Sequence, residues 1–195
     1  MDARQQRTRT HLRSAILDLA ALRPVGGLSV AEVARAAGIT RDTFYRHCTG
    51  PVELLAGVLA EELDRIELGP GGSADEFLDA VTRLLEHVAT HAPVYQGALL
   101  RSTEGAIRDV LHDVVAERLD AFLRAVPDAL PHVPAGLPDD DATRAVVVAY
   151  CAAGTVAAIT VWLHRDADRS EIPGMARTIL AAGPRWWLRE SGASA

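Results

Sequence analysis

The sequence predicts an all-α protein with a small helical head and a larger helical body, and three observations carry that expectation. Apolar residues recur at three- and four-residue spacing through most of the 195 residues, with no convincing strand pattern. Helix-start chemistry appears twice, in Ser29 with Glu32 and in Ser73 with Glu76. In such a capping box, hydroxyl and carboxylate each satisfy a backbone donor that would otherwise be orphaned. Finally, Gly69-Pro70-Gly71-Gly72 interrupts the helical pattern more sharply than any other stretch, dividing the chain into 1–68 and 73–195.

The first helix is expected from about Arg4 to Leu22, burying Leu12, Ala15, Ile16 and Leu19, and Pro24 with Gly26-Gly27 ends it. From Ser29, Val30, Val33, Ala34 and Ala37 give a second helix one narrow apolar face. Gly38 can adopt positive φ and turn the chain. Thr40 is a natural cap for a third helix anchored by Phe44. Small residues at Ala34 and Gly38 let two helices cross closely, which is what a helix-turn-helix requires. Its second helix enters the major groove of DNA. A fourth helix starts near Pro51 and carries Leu54, Leu55, Val58 and Leu59 on one stripe.

Beyond the glycine break, Phe77, Val81, Leu84, Leu85 and Val88 mark the next helix, and Pro93 bounds a short one. Ile107 to Val126 form a longer helix, and the proline-rich segment Pro127 to Asp141 is expected as a loop. Ala145 to Leu163 is uncharged throughout. It is long enough to raise a membrane span, but it is mostly Ala, Val and Thr rather than the residues that drive insertion. A helix apolar all round is otherwise buried between partners. Ala149, Ala153 and Ala157 at four-residue spacing would let another helix approach. With a last helix around Ile179 to Leu188, it would supply half of a dimeric four-helix bundle. Trp186 and Trp187, with Trp162, are expected to pack that dimer core; a cavity role for Trp162 is the alternative.

The overall charge of −6 conceals an uneven division. Residues 1–50 hold eight arginines against Asp2, Asp18, Glu32 and Asp42, a net +4, and the remainder carries −10. A basic head on an acidic body suits a nucleic-acid-reading module joined to a regulatory one. The first residues have arginines but no apolar segment, so no secretory signal is expected. Two cysteines, Cys48 and Cys151, form neither a disulfide framework nor a metal-ligand spacing, which favours a reduced, cytoplasmic setting.

The run Val33-Ala34, Ala37-Gly38-Ile39-Thr40, Thr43-Phe44-Tyr45-Arg46-His47 resembles the DNA-binding motif of the TetR family of transcriptional regulators in order and spacing. The likeness spans roughly Leu12 to Leu59, with the motif itself at about 29–48. It implies an N-terminal three-helix DNA-reading domain and a C-terminal domain for effector binding and homodimerisation. The implied function is a ligand-responsive repressor of a palindromic double-stranded operator. The competing reading is a helical dimeric small-molecule-binding module that has lost DNA binding. Two positions depart from the family pattern: Cys48 stands where an aromatic residue is usual, and Pro51 where a lysine is usual. Pro51 suits a first helical turn but supplies no cation, and one lost phosphate contact lowers the salt slope of binding by roughly one.

Thr40, Arg41, Asp42, Thr43, Tyr45, Arg46 and His47 surround the recognition helix, where hydroxyls and helix N–H groups suit phosphates and arginine suits guanine. The resemblance implies Thr43 and Arg41 as base readers, Tyr45 and His47 as phosphate contacts, and Thr40 as a cap touching backbone. Asp42 favours the helix N-terminus or accepts from cytosine. Arg7 and Arg9 form either an arm into the minor groove or a frayed, solvated terminus.

His87 and His91 are one helical turn apart, a geometry able to ligate zinc, yet no catalytic glutamate lies between them and spacing suggests no third ligand. No metal and no cofactor are therefore expected. A polar lining for an effector cavity, with Tyr95, Leu99, Leu100 and Trp162, is the alternative to plain exposure. That cavity would lie between the helices starting near Ser73, Pro93 and Glu104. No phosphate loop, nucleophile elbow or Cys/His constellation suggests an enzyme. Asp139 to Asp141 read as helix-start acids.

Overall fold

The structure, a computed structural model, describes residues 3–66, 74–100, 105–125 and 141–183. Its described elements are helical: α1 (Ala3–Leu22), a 3-10 turn (Val25–Gly27), α2 (Val30–Ala36), α3 (Arg41–Tyr45), α4 (Pro51–Leu63), α5 (Ala74–Thr90), α6 (Ala92–Leu100), α7 (Ala106–Ala125), α8 (Asp141–Leu163) and α9 (Ile172–Ala182). The head is built from α1 to α4 in the order expected. Ser29 and Glu32 form the complete capping box, and Gly38 takes φ +67° between α2 and α3. That conformation would strain a side chain, so the turn needs glycine.

Leu12, Ile16, Val33, Ala34, Phe44, Leu55 and Leu59 fill the head and are all nearly inaccessible to solvent. Cys48 completes that core as a small apolar residue, its thiol pushed up to about 11 chiefly by burial. The same buried cluster continues through Leu85, Val88, Tyr95, Leu111, Ile159 and Trp162. Head and body therefore share one apolar core across the 1–68 and 73–195 division. The joint is made by α1 against α6 and α4 against α7. At Gly97 of α6 an added Cβ would sit 3.7 Å from Pro24 Cα, so the two backbones approach closely there.

α8 divides into two faces within the single chain. It is the described helix long and apolar enough to cross a membrane by length and composition, but it is not enclosed all round. Val148, Ala152, Val156, Ile159, Trp162 and Leu163 are buried on one face. Val146, Tyr150 and Val161 are 69%, 69% and 60% exposed on the opposite one. Trp162 lies wholly in the protomer's own core, not on the face a second copy could reach. In the turn after α8, Asp166 and Ala167 both take positive φ; a left-handed non-glycine residue costs roughly 1–2 kcal/mol.

The last helix also differs from expectation. α9 begins at Ile172, seven residues before the predicted Ile179, because Pro173 occupies its first turn, where a missing N–H costs nothing. It packs mainly against α5 and touches α8 less. Ser73 of the second capping box, Glu104, the expected loop before Asp141, the side chain of Leu100, and Trp186 and Trp187 lie outside the described residues.

Candidate nucleic-acid interface and the α4 junction

Local chemistry fixes α3. The hydroxyl of Thr40 accepts from the backbone N–H of Thr43 at 3.2 Å and lies 3.0 Å from the Thr43 hydroxyl. Phe44 then points into the core with no exposed surface, while its neighbour Tyr45 is 61% exposed. The two rings meet edge to face with centroids 5.9 Å apart. Arg41, Asp42, Arg46 and His47 are exposed and Thr43 is half-buried. The expected contact residues are thus brought together on one short helix and its ends. Arg46 Nη2 is paired with Asp42 Oδ2 at 3.1 Å, so α3 carries less free positive charge than its arginines suggest.

Arg7 and Arg9 do not sit on an extended arm. Both lie within α1, and Arg9 Nη2 pairs with Glu61 Oε1 of α4 at 3.1 Å. Helical hydrogen bonding has claimed the backbone that a minor-groove arm would need extended.

A second constellation forms where α4 ends. Glu62 Oε1 accepts from Arg13 of α1, and Glu62 Oε2 lies 2.8 Å from His91 Nε2 and 3.5 Å from His87 Nδ1. His87 Nε2 in turn meets the Tyr95 hydroxyl at 2.9 Å. One residue further, the guanidinium of Arg118 from α7 donates to the carbonyl of Leu63. Burial, then the neighbouring His91, pulls His87 down to about 4, so its ring is neutral near pH 7. Burial and then Glu62 push the Tyr95 hydroxyl upward, which keeps it protonated. Of the expected cavity residues, His87, His91 and Tyr95 therefore meet, and Leu99 and Trp162 are buried in the same core. The partner that sequence spacing missed is Glu62, 25 and 29 positions before the two histidines and on another helix. The indole N–H of Trp162 is buried without an acceptor among the described residues.

The fold and the capped α3 define a helical protein with a helix-turn-helix head. Residues 12–56 match the model of the bacterial regulatory proteins of the tetR family, so the head is a TetR-type DNA-binding domain. Solved structures share the fold over most of the chain. One is a dihydroxyacetone kinase operon activator, at TM-score 0.65 and 16% identity, covering 90% of this chain and 96% of that one. A second is a tetR-family transcriptional regulator from Streptomyces coelicolor, at TM-score 0.62 and 23% identity over 89% of this chain and 81% of the other. A third is the secondary repressor of the MexAB-OprM multidrug efflux pump in Pseudomonas aeruginosa, at TM-score 0.59 and 17% identity over 92% and 97%.

Proposed function

We propose that the protein is a ligand-responsive, cytoplasmic repressor that binds a palindromic operator as a homodimer and is released by a small, largely apolar effector. The observation that carries this reading is α3 itself. Its Thr40 cap and buried Phe44 hold Arg41, Tyr45 and His47 outward on a rigid base. Arg41 and Thr43 would read base edges, and Thr40, Tyr45 and His47 would contact the backbone. Arg46 would reach phosphate only by leaving Asp42, whose freed carboxylate would favour the helix N-terminus or accept from cytosine. Arg7 and Arg9 would add charge from the flank of α1. Two heads related by a two-fold axis would meet half-sites about 34–36 Å apart.

The exposed face of α8 supports the dimer. Val146, Ala149, Tyr150, Ala153, Ala157 and Val161 line one side, with no charge between Ala145 and Leu163. Such a stripe, about 22 Å long at the α-helical rise, suits a self-complementary two-fold contact, to which Trp186 and Trp187 would add. Within the body, His87, His91, Tyr95, Leu99, Leu100 and Trp162 would line the effector site, and the unpaired indole N–H of Trp162 offers it a donor. An effector that prefers one position of α4 would shift the spacing of the two heads. The division into 1–68 for DNA and 73–195 for effector and dimer belongs to this reading.

Pro51 in place of the family's lysine and the Arg46–Asp42 pair favour a second reading, a dimeric ligand-binding module that no longer holds DNA. Selection from a random duplex library on immobilised protein separates the two. Enrichment of a palindrome supports the regulator, and recovery of unselected sequence supports the module. Transcription from the selected site, with and without the protein, tests the repressor sign.

A further inference from the structure

We propose that Glu62, His87 and His91 form a binding site for a zinc-class divalent transition metal at the junction of head and body. The three side chains offer Oε2, Nδ1 and Nε2, all within 4.8 Å of one another. Zinc bonds to imidazole nitrogen or carboxylate oxygen are about 2.0–2.2 Å, so tetrahedral ligand atoms stand roughly 3.3 Å apart. The two separations from Glu62 Oε2, 2.8 and 3.5 Å, bracket that value. Small side-chain rotations would complete the shell.

The surroundings match what a metal-ligating histidine needs. Through Nδ1 His87 would face the ion, and its Nε2, 2.9 Å from the Tyr95 hydroxyl, would then carry the proton and donate to that oxygen. His91 would present Nε2 to the ion in the tautomer that carries its proton on Nδ1. The metal would then replace the present His91–Glu62 hydrogen bond. Arg13 on the other carboxylate oxygen orients Glu62. Two imidazoles with one carboxylate select zinc, cobalt or nickel over magnesium and calcium, which demand oxygen ligands. Three protein ligands leave a fourth position for water or an anionic group. The side chains are 11–21% exposed, which leaves the ion a path of entry. Metal titration reads this site without DNA, so it stands or falls separately from the operator reading.

The test is titration of the chelator-stripped full chain with Co(II), followed by Zn(II). Expected are one equivalent of Co(II) with visible ligand-field absorption, its displacement by one equivalent of Zn(II), and a Zn(II)-dependent rise in Tm. Glu62→Gln and His91→Gln should each weaken binding by more than about 100-fold. Tyr95→Phe should weaken it about tenfold, within the range for outer partners, and keep the spectrum. His112→Gln, in an exposed region of α7, should bind as wild type. Circular dichroism checks the fold of each variant. If a variant fails to fold, the wild-type spectrum and Tm rise decide. Absence of both overturns the proposal, as does a folded His91→Gln protein that binds like wild type.

Discussion

Arg118 of α7 reaches the carbonyl of Leu63, the last residue of α4, at 2.5 Å. The final carbonyls of a helix have no partner within it; the Leu63 carbonyl accepts from the backbone N–H of Ile66 at 2.9 Å in the following turn and, in addition, from this cation of the body. Burial lowers the basicity of Arg118 while Asp64 and Glu117 oppose that shift, so the guanidinium stays charged. Arg118→Met should cost about 1.5 kcal/mol, the low end for a hydrogen bond to a charged group because the site is partly open. Denaturant unfolding checks it. An unchanged midpoint would mean that α4 is not anchored through this contact.

Ser29 holds the Glu32 carboxyl down to about 2, first through its backbone N–H and then its hydroxyl, with Arg23 adding to the effect. A carboxyl with a folded value below its unfolded 4.5 contributes stability that is complete above 4.5. That contribution is lost as pH falls towards 2, because the unfolded chain then binds more protons. Ser29→Ala keeps the backbone N–H and removes the hydroxyl, so it should only partly flatten the stability profile in that acid window, and it should cost about 1 kcal/mol at neutral pH through the lost cap. Thermal midpoints from pH 2 to 7 would show both, and a parallel shift at every pH would contradict the assignment.

Phe44 and Tyr45 are neighbours with opposite roles. Phe44→Ala should destabilise by about 3–5 kcal/mol, since it empties a fully buried site. Tyr45→Ala should cost no more than about 1 kcal/mol, mostly the edge contact with Phe44, and should abolish DNA binding. Paired unfolding and binding measurements separate the two. Equal destabilisation would place Tyr45 in the core.

The exposed stripe of α8 makes a prediction about assembly. Ala153→Glu places a charge in the middle of that stripe without touching the buried face. Sedimentation should show a dimer for wild type and a monomer for the variant, with unchanged helicity. Two dimers, or a monomeric wild type, would remove α8 from the interface.

The head was legible in the sequence because its signals are local. The Ser29–Glu32 box, the positive-φ glycine at Gly38 and the Thr40 cap each act within four residues, and all are present. The body was legible as helices but not as faces. Val148, Ala152, Val156, Ile159, Trp162 and Leu163 share the buried side of α8, and Val146, Ala149, Tyr150, Ala153, Ala157 and Val161 the other, a division hidden by their common apolarity. Pro173 was an unused sign of where α9 starts. Glu62 and Arg118 escaped notice because they find their partners across the core, where chain spacing carries no information.

The central claim is that α3 reads DNA, and fluorescence anisotropy on the selected palindrome tests it most directly. Wild type should bind tightly and with steep salt dependence, while Arg41→Ala and Tyr45→Ala should each lose specific binding. Arg165→Ala, in the exposed turn after α8, should bind as wild type. Unchanged affinity in both α3 variants, with the fold intact, would contradict the account.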